Sequence, residues 1–178
     1  MPILKVPVTD ADHSEGGDAK APVTLVEYGD YECPACGEAY PIVKAVQKHF
    51  GRRLRFVFRN FPLTQIHPEA ESAAETAEFA AGHGRFWQMH DALYENQDQL
   101  GPQLYLALAE RLGLSGTALS QALADGAGRE KVRDDFRGGL SSGVNGTTTF
   151  YINGRRHDGS FDAADLIAAI DAQLAHAG

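Results

Sequence analysis

The chain has 178 residues, of which 43% are apolar, and this is enough for one compact domain with a hydrophobic core. Its formal net charge is −8 and its basic residues form no long stripe, so a nucleic acid is not expected as a partner. No window approaches the roughly 20 consecutive apolar residues of a membrane span, and the N-terminus lacks the apolar core of a signal peptide. We therefore expect a cytoplasmic protein, or a periplasmic or otherwise exported one if a leader has been removed.

The first third of the chain predicts a strand, a helix and a second strand. Residues 1–21 are polar and interrupted by glycines and prolines, so we expect a loosely packed lead-in. The run VTLVEY at 23–28 is rich in β-branched and aromatic residues, which predicts a strand. A helix is expected over about 34–50, and the run LRFVFRNF at 54–61 predicts the next strand. Together these elements form a βαβ unit.

The rest of the chain predicts a helical block followed by two strands and a helix. Glycines and prolines divide residues 63–140 into successive helices. Strands at 148–152 and 155–159 flank an Asn-Gly pair, the strongest short signal for a β-hairpin. Asp162 is a good N-cap for the last helix. The predicted helices of the block span about 67–81, 86–94, 104–112, 115–125 and 129–140.

The only two cysteines, Cys33 and Cys36, lie in a Cys-Pro-Ala-Cys sequence at the start of the first predicted helix. Unpaired backbone N–H groups and the helix dipole stabilise a thiolate there and lower its pKa, so Cys33 is the expected nucleophile. Cys36 lies one turn further on, where it can attack a mixed disulfide on Cys33 and release the partner. Pro34 suits the first helical position. The N–H of any residue at that position has no partner within the helix, so the missing N–H of proline costs nothing there. The motif therefore favours thiol–disulfide exchange.

Three other interpretations of the two cysteines stay open. A structural disulfide would close a very short loop and remove little entropy from the unfolded chain. A zinc site would need two more ligands, and no pair of histidines has the spacing of a zinc finger. The third interpretation is a pair of incidental free cysteines. We otherwise expect the histidines at the surface or at helix ends; those considered as ligands are His49, His67, His83, His90 and His157.

The order of elements and the cysteine pair at a helix start resemble the thioredoxin fold. The helical block between the two halves makes the chain similar to the DsbA family of bacterial disulfide oxidoreductases. The resemblance implies an α/β protein with a thioredoxin-like domain (βαβ + ββα) of residues 22–62 and 141–178. It also implies an all-helical insertion at 63–140, a lead-in at 1–21 and a redox-active disulfide between the two cysteines.

Pro34 and Ala35 lie where the family tunes its redox potential. DsbA-like oxidases often have a histidine at the position of Ala35, and an imidazolium there would add positive charge beside the thiolate. The absence of that charge predicts a less acidic Cys33 and a less oxidising pair.

Glu27 stands in an otherwise apolar strand, where similar proteins bury a carboxylate beneath the disulfide. Burial would raise the pKa of Glu27, which would then pass protons to and from Cys36 during exchange. The alternative is that Glu27 faces solvent on a half-exposed strand.

The loop before the hairpin resembles the family's cis-proline loop, but Thr148 stands in the place of the proline. Because a non-proline cis bond costs about 3–4 kcal/mol, we expect a trans peptide between Thr147 and Thr148. The N–H or the hydroxyl of Thr148 is expected to donate to a thiolate and to lower its pKa. In similar proteins this loop pairs with the client strand, so the difference is also expected to alter docking.

The resemblance implies a protein-disulfide oxidoreductase whose substrates are proteins with cysteines. A redox partner protein or glutathione would reset the pair, and no metal or organic cofactor is needed. An exported form would oxidise its clients and a cytosolic form would reduce them. Two other functions stay open. One is a glutathione-dependent transferase or isomerase of related fold, although an intact CxxC counts against it. The other is a non-catalytic module that binds a metal or a protein.

Overall fold

Five strands form one mixed sheet in the computed structural model, which describes residues 2–177. The strands are β1 (His13–Gly16), β2 (Val23–Gly29), β3 (Leu54–Asn60), β4 (Thr149–Ile152) and β5 (Arg155–His157). They lie in the order β1-β3-β2-β4-β5 across the sheet. Strands β2 and β3 are parallel, and the other neighbouring pairs are antiparallel.

The helices fall where the sequence predicts them. One helix joins β2 to β3, five follow between β3 and β4, and one closes the chain. The predicted α/β fold, with βαβ and ββα halves separated by helices, is confirmed. The helices are α1 (Pro34–Phe50), α2 (Ala70–Ala81), α3 (Phe86–Glu95), α4 (Pro102–Arg111), α5 (Gly116–Asp125), α6 (Arg129–Ser141) and α7 (Ala163–Ala177).

The central strand β2 is covered on both faces, which explains its nearly continuous apolar sequence. Side chains alternate between the two faces of a strand. Leu25 lies in the larger core cluster with Phe58 and residues of α1, whereas Val26 packs with Tyr151 in the smaller one. Glu27 follows by two residues on the Leu25 face, so its carboxyl group enters the larger core.

The N-terminal segment is more ordered than its sequence predicts. His13–Gly16 pairs antiparallel with β3, so the expectation of a loosely packed lead-in is wrong for this stretch. The reason is that an edge strand is held by backbone hydrogen bonds, which polar residues form as well as apolar ones. Arg59 holds the residues that precede β1. Its guanidinium donates to Asp12 at 2.8 Å and to the carbonyls of Val6 and Pro7 at 2.8 and 3.2 Å.

The sheet brings two distant parts of the chain together at one end of β2. Strand β4 pairs with β2 in a register that sets Phe150 opposite Glu27 and Thr149 opposite Tyr28. The residues just before Thr149 therefore lie beside the carboxyl end of β2. Because α1 begins a few residues beyond that end, the two cysteines and the loop before β4 share one site.

Candidate active site

The cysteine motif forms the first turn of α1. Cys33 is the N-cap, with an extended backbone at φ −69° and ψ 125°, and Pro34 is the first helical residue. The carbonyl of Cys33 accepts the N–H of Gly37 at 3.1 Å, which closes the first turn of the helix. Both thiols are free, and only 6% of Cys33 and none of Cys36 is exposed. The geometry thus leaves one sulfur at the surface of the site and the other inside it.

The two thiols differ in acidity. A hydrogen bond from the Cys36 thiol lowers the pKa of Cys33 to about 5, helped by Thr147 and by the backbone N–H groups of Ala35 and Cys36, against the effect of burial. Burial raises the pKa of Cys36 well above its ordinary value, and the hydrogen bond to Cys33 adds to this. Cys33 is therefore a thiolate at neutral pH, while Cys36 keeps its proton.

Glu27 is buried, with 2% of its surface exposed, so the alternative of a solvent-facing side chain is wrong. Its Oε2 accepts a hydrogen bond from the Thr148 hydroxyl at 2.9 Å. Burial raises the pKa of Glu27 to about 7, opposed by the bond from Thr148 and assisted by the charge of Cys33. A carboxyl group with this pKa can both bind and release a proton near neutral pH.

The loop before β4 differs from expectation in two ways. The peptide bond between Thr147 and Thr148 is cis, so the prediction of a trans bond is wrong. That prediction used the cost of an isolated peptide, whereas here hydrogen bonds from the two threonine side chains that follow the bond hold the loop. The Thr148 hydroxyl bonds Glu27, and the Thr149 hydroxyl donates to the Gly146 carbonyl at 2.7 Å.

The second difference concerns which threonine supports the sulfur. The Thr148 hydroxyl donates to Glu27, so the expectation that this hydroxyl donates to a thiolate is wrong, whereas the same expectation for the Thr148 N–H stays a prediction. The Thr147 hydroxyl, which is buried without a hydrogen-bond partner among the described residues, instead helps to lower the pKa of Cys33. In the protonated state, the Cys33 thiol lies 3.7 Å from the Thr147 carbonyl oxygen.

A glutamine of the helical insertion holds the active-site turn, and sequence analysis missed it. The amide of Gln97 donates to the carbonyls of Tyr31 and Cys33 at 2.9 and 2.8 Å. Gly37 permits this approach, because a side chain there would overlap the Gln97 amide. No local sequence signal points to Gln97, since its partners lie more than sixty residues away.

Asp30 is a second residue that sequence analysis did not single out. It is buried, and its carboxylate accepts the backbone N–H groups of Glu32 and Leu63 at 2.8 and 2.9 Å. It also pairs with Nδ1 of His67 at 2.7 Å. The N–H of Asp30 itself lies 3.5 Å from the Cys36 sulfur. An aspartate directly after a strand was the available signal, since this residue type often binds nearby backbone N–H groups.

Sequence analysis predicts that the histidines lie at the surface or at helix ends, and for His90 this prediction is wrong. His90 is buried with 3% exposed, and burial lowers its pKa well below the ordinary value. Nδ1 of its neutral ring shares a hydrogen bond with the Tyr31 hydroxyl, 2.9 Å away. Within residues 2–177, no three or more His, Cys, Asp or Glu side chains come together in a way that would hold a metal ion.

Comparisons with solved structures reveal close similarity of fold. BdbD from Bacillus subtilis superposes with a TM-score of 0.87 at 24% identity, covering 98% of each chain. A thioredoxin-like oxidoreductase from Silicibacter pomeroyi gives 0.80 at 24% identity, with 94% of each chain covered. For α-DsbA1 from Wolbachia pipientis the TM-score is 0.83 at 20% identity, covering 98% of this chain and 96% of that one.

Sequence relatives include much longer proteins. A protein named Na(+)/H(+) antiporter NhaA 1, from Salinispora arenicola, is 46% identical over 173 residues, which are 97% of this chain and 26% of the relative. A protein of the same name from Mycobacterium sp. (strain KMS) is 41% identical over 165 residues, or 92% of this chain and 27% of the relative. The chain thus spans about a quarter of the length of these relatives. Among its own described residues, no helix is both long and apolar enough to cross a membrane.

A family model described as thioredoxin matches residues 9–172, which include every element of the sheet. The match spans the cysteine motif, the helical insertion and the loop before β4. The chain therefore belongs to the thioredoxin family, and it has the DsbA-like form of the fold with a helical insertion.

Proposed function

We propose that this chain is a thiol–disulfide oxidoreductase that exchanges a Cys33–Cys36 disulfide with cysteines of protein substrates. The observation that carries the proposal is the placement of two free thiols in one helical turn, one at the helix N-cap and one fully buried. Exchange needs a thiolate to attack and a second thiol that stays protonated until it resolves the mixed disulfide. Membership of the thioredoxin family supports the same conclusion.

In the reducing direction, the Cys33 thiolate attacks a sulfur of the client disulfide, and the other client sulfur leaves as a thiolate. Cys36 then loses its proton and attacks the Cys33 sulfur. This closes the Cys33–Cys36 disulfide and releases the first client sulfur with the electron pair of the broken bond. Oxidation of a client is the reverse sequence. Glu27 takes and returns the proton of Cys36, for which its pKa of about 7 is suited.

The acidity of Cys33 sets the direction of exchange, because a stable thiolate favours the reduced pair. Thioredoxin combines a thiol pKa of about 7 with about −270 mV, and DsbA about 3.5 with about −120 mV. The Cys33 pKa of about 5 lies between these cases. We therefore propose a potential between the two, more oxidising than that of thioredoxin.

The two sulfurs carry both electrons, so the proposed reaction needs no metal or organic cofactor. A redox partner protein or glutathione would reset the pair after each cycle. The loop at Thr147 and Thr148 borders the Cys33 sulfur, and we propose that it docks the client. The measured potential would indicate the compartment: an oxidising value fits a periplasmic or exported setting and a strongly reducing one fits the cytoplasm.

The test is disulfide exchange with a peptide disulfide, comparing the wild type with Cys33→Ser and Cys36→Ser. We expect no exchange with Cys33→Ser. The Cys36→Ser variant should accumulate a mixed disulfide, visible as the mass of one peptide added to the intact protein and lost on reduction. A wild type that exchanges nothing would refute the proposal, and metal bound to that protein would point to a binding module. Exchange that persists in Cys33→Ser would refute the assignment of the nucleophile.

A further inference from the structure

Tyr94, on α3, has a hydroxyl group that is buried without a hydrogen-bond partner among the described residues. It is the only one of the six tyrosines in this state. A buried polar group without a partner is unusual in a folded protein and calls for an explanation. The hydroxyl groups of the others bond Arg59 (Tyr28), His90 (Tyr31), Glu95 (Tyr40), Glu69 (Tyr105) and the Ser142 carbonyl (Tyr151).

The Tyr94 hydroxyl lies beside the proposed redox site. It is 3.0 Å from the position that a Cβ on Gly29 would occupy, and Oε2 of Glu27 is also 3.0 Å from that position. The two oxygens are therefore within about 6 Å of each other across the bare backbone of Gly29. The ring of Phe58 closes the same space, only 2.6 Å from that Cβ position.

The ionisable groups around the Tyr94 hydroxyl are those of the exchange reaction. Burial raises the pKa of Tyr94 well above its ordinary value, and the charges of Cys36 and Glu27 are the next largest causes, followed by Tyr31 and Asp30. The His90 ring, whose centroid lies 5.2 Å from that of Tyr94, is kept neutral by burial. No cation among these neighbours would hold Tyr94 as a tyrosinate, so its hydroxyl keeps one proton to give and a lone pair to receive another.

Cys36 and Glu27 have no hydrogen bond to each other. Glu27 is bonded by Thr148, and the backbone contact of the Cys36 sulfur is the N–H of Asp30. No direct hydrogen bond therefore links Cys36 to Glu27, and the Tyr94 hydroxyl lies beside Glu27 in this part of the core. Such contacts are often long in the resting protein and shorten only in the reacting complex.

We propose that the Tyr94 hydroxyl relays the proton between the Cys36 thiol and the Glu27 carboxylate. The inference rests on the proposed function. During resolution, the Cys36 proton moves to the Tyr94 oxygen while the Tyr94 proton moves to the Glu27 carboxylate. The Cys36 thiolate then attacks Cys33, and the client sulfur leaves as a thiolate. When a client thiolate instead attacks the oxidised pair at Cys33, Cys36 leaves and receives a proton from Glu27 by the same path in reverse.

The test separates the two steps of exchange with oxidised glutathione, by acid quench and intact mass. Reduced protein first forms the mixed disulfide at Cys33, and Cys36 then resolves it. For Tyr94→Phe we expect an unchanged first rate and a second rate at least about a hundredfold slower near neutral pH, because general acid–base catalysis typically contributes about 10²–10⁴-fold. The matched control is Tyr40→Phe, which removes a hydroxyl from the ring stacked on Tyr94 at 5.4 Å but leaves both rates unchanged.

If the relayed proton passes to Glu27, the effects of substitutions at Tyr94 and Glu27 on the resolution rate should not be independent. In a Glu27→Gln background, Tyr94→Phe should cause no further loss of the resolution rate. The pH dependence that the titration of Glu27 gives to the resolution rate should be absent from both Tyr94→Phe and Glu27→Gln. Equal resolution rates in Tyr94→Phe and the wild type would overturn the relay, as would independent, multiplicative losses from the two substitutions. Equal slowing of both steps, or loss of folding by Tyr94→Phe, would show a structural role and overturn it too. A wild type without exchange would instead remove the proposed function itself.

Discussion

Replacing Thr147 by valine removes a hydroxyl group that supports the Cys33 thiolate and keeps a branched side chain of nearly the same shape. The hydroxyl is buried without a hydrogen-bond partner among the described residues, so its loss breaks no hydrogen bond already present and removes only its support of the thiolate. We expect Thr147→Val to raise the pKa of Cys33 and to make the cysteine pair less oxidising.

The size of the effect follows from the strength of a hydrogen bond to a charged group. Such a bond contributes about 1.5–3 kcal/mol, and one pKa unit corresponds to about 1.4 kcal/mol, so the shift is about 1–2 units. The pKa of Cys33, about 5 in the wild type, would rise to between about 6 and 7. Because about 30 mV corresponds to 1.4 kcal/mol for two electrons, the potential would fall by about 30–60 mV at a pH above both values.

The assay is the alkylation rate of the reduced protein by iodoacetamide across a pH series. Cys36 is fully buried and keeps its proton, so the reaction follows the thiolate fraction of Cys33. The potential is measured separately against glutathione mixtures. Thr147→Ser is the matched control, since it retains the hydroxyl and should keep the wild-type midpoint.

Two results would contradict this reasoning. A wild-type midpoint near the free-thiol value of about 8.5 would show that the site does not stabilise the Cys33 thiolate at all. A wild-type midpoint near 5 that is unchanged in Thr147→Val would show that the Cys36 thiol and the backbone N–H groups of the helix start are sufficient.

Three further predictions concern stability. The raised pKa of Glu27, about 7, means that Glu27 alone should lower the unfolding free energy of the reduced protein by up to about 3 kcal/mol as the pH rises from about 4.5 through 7, and Glu27→Gln should remove this contribution in denaturant titrations. Asp12→Ala leaves the buried Arg59 without its carboxylate and should cost about 3–5 kcal/mol, whereas the exposed control Asp10→Ala should cost less than about 0.5 kcal/mol. Gln97→Ala removes two hydrogen bonds to the active-site turn, and thermal unfolding should show a loss of about 1–3 kcal/mol.

The elements that sequence analysis predicted are those whose signals are local. β-Branched and aromatic residues predict the strand at 23–29, and a proline at the first position predicts the start of α1. The hairpin is predicted by Asn153-Gly154. Each signal acts within a few residues, so it holds whatever the rest of the chain does. Strand β1 has no such local signal, because its polar residues are ordered only by pairing with the edge of β3, which is distant in sequence.

The parts of the site that the sequence did not predict depend on contacts between distant residues. Gln97 reaches the turn from the helical insertion, and His90 is buried beside Tyr31 rather than exposed. The Thr148 hydroxyl bonds Glu27 while Thr147 supports Cys33, and this difference depends on the backbone direction at a single residue. Composition and periodicity carry no information on such a detail.

Glu27 shows how a site residue can still be found from sequence before its partners are known. An acid in a strand covered on both faces conflicts with its surroundings, and this conflict is itself the signal. Tyr94 carries no comparable signal, because a tyrosine on the inner face of a helix suits a core, and only the unpartnered hydroxyl in the folded chain distinguishes it. The two residues thus require different routes to discovery although they border the same glycine. A charge in an apolar pattern can be recognised from the sequence, whereas a missing hydrogen bond becomes visible only when every neighbour has been placed.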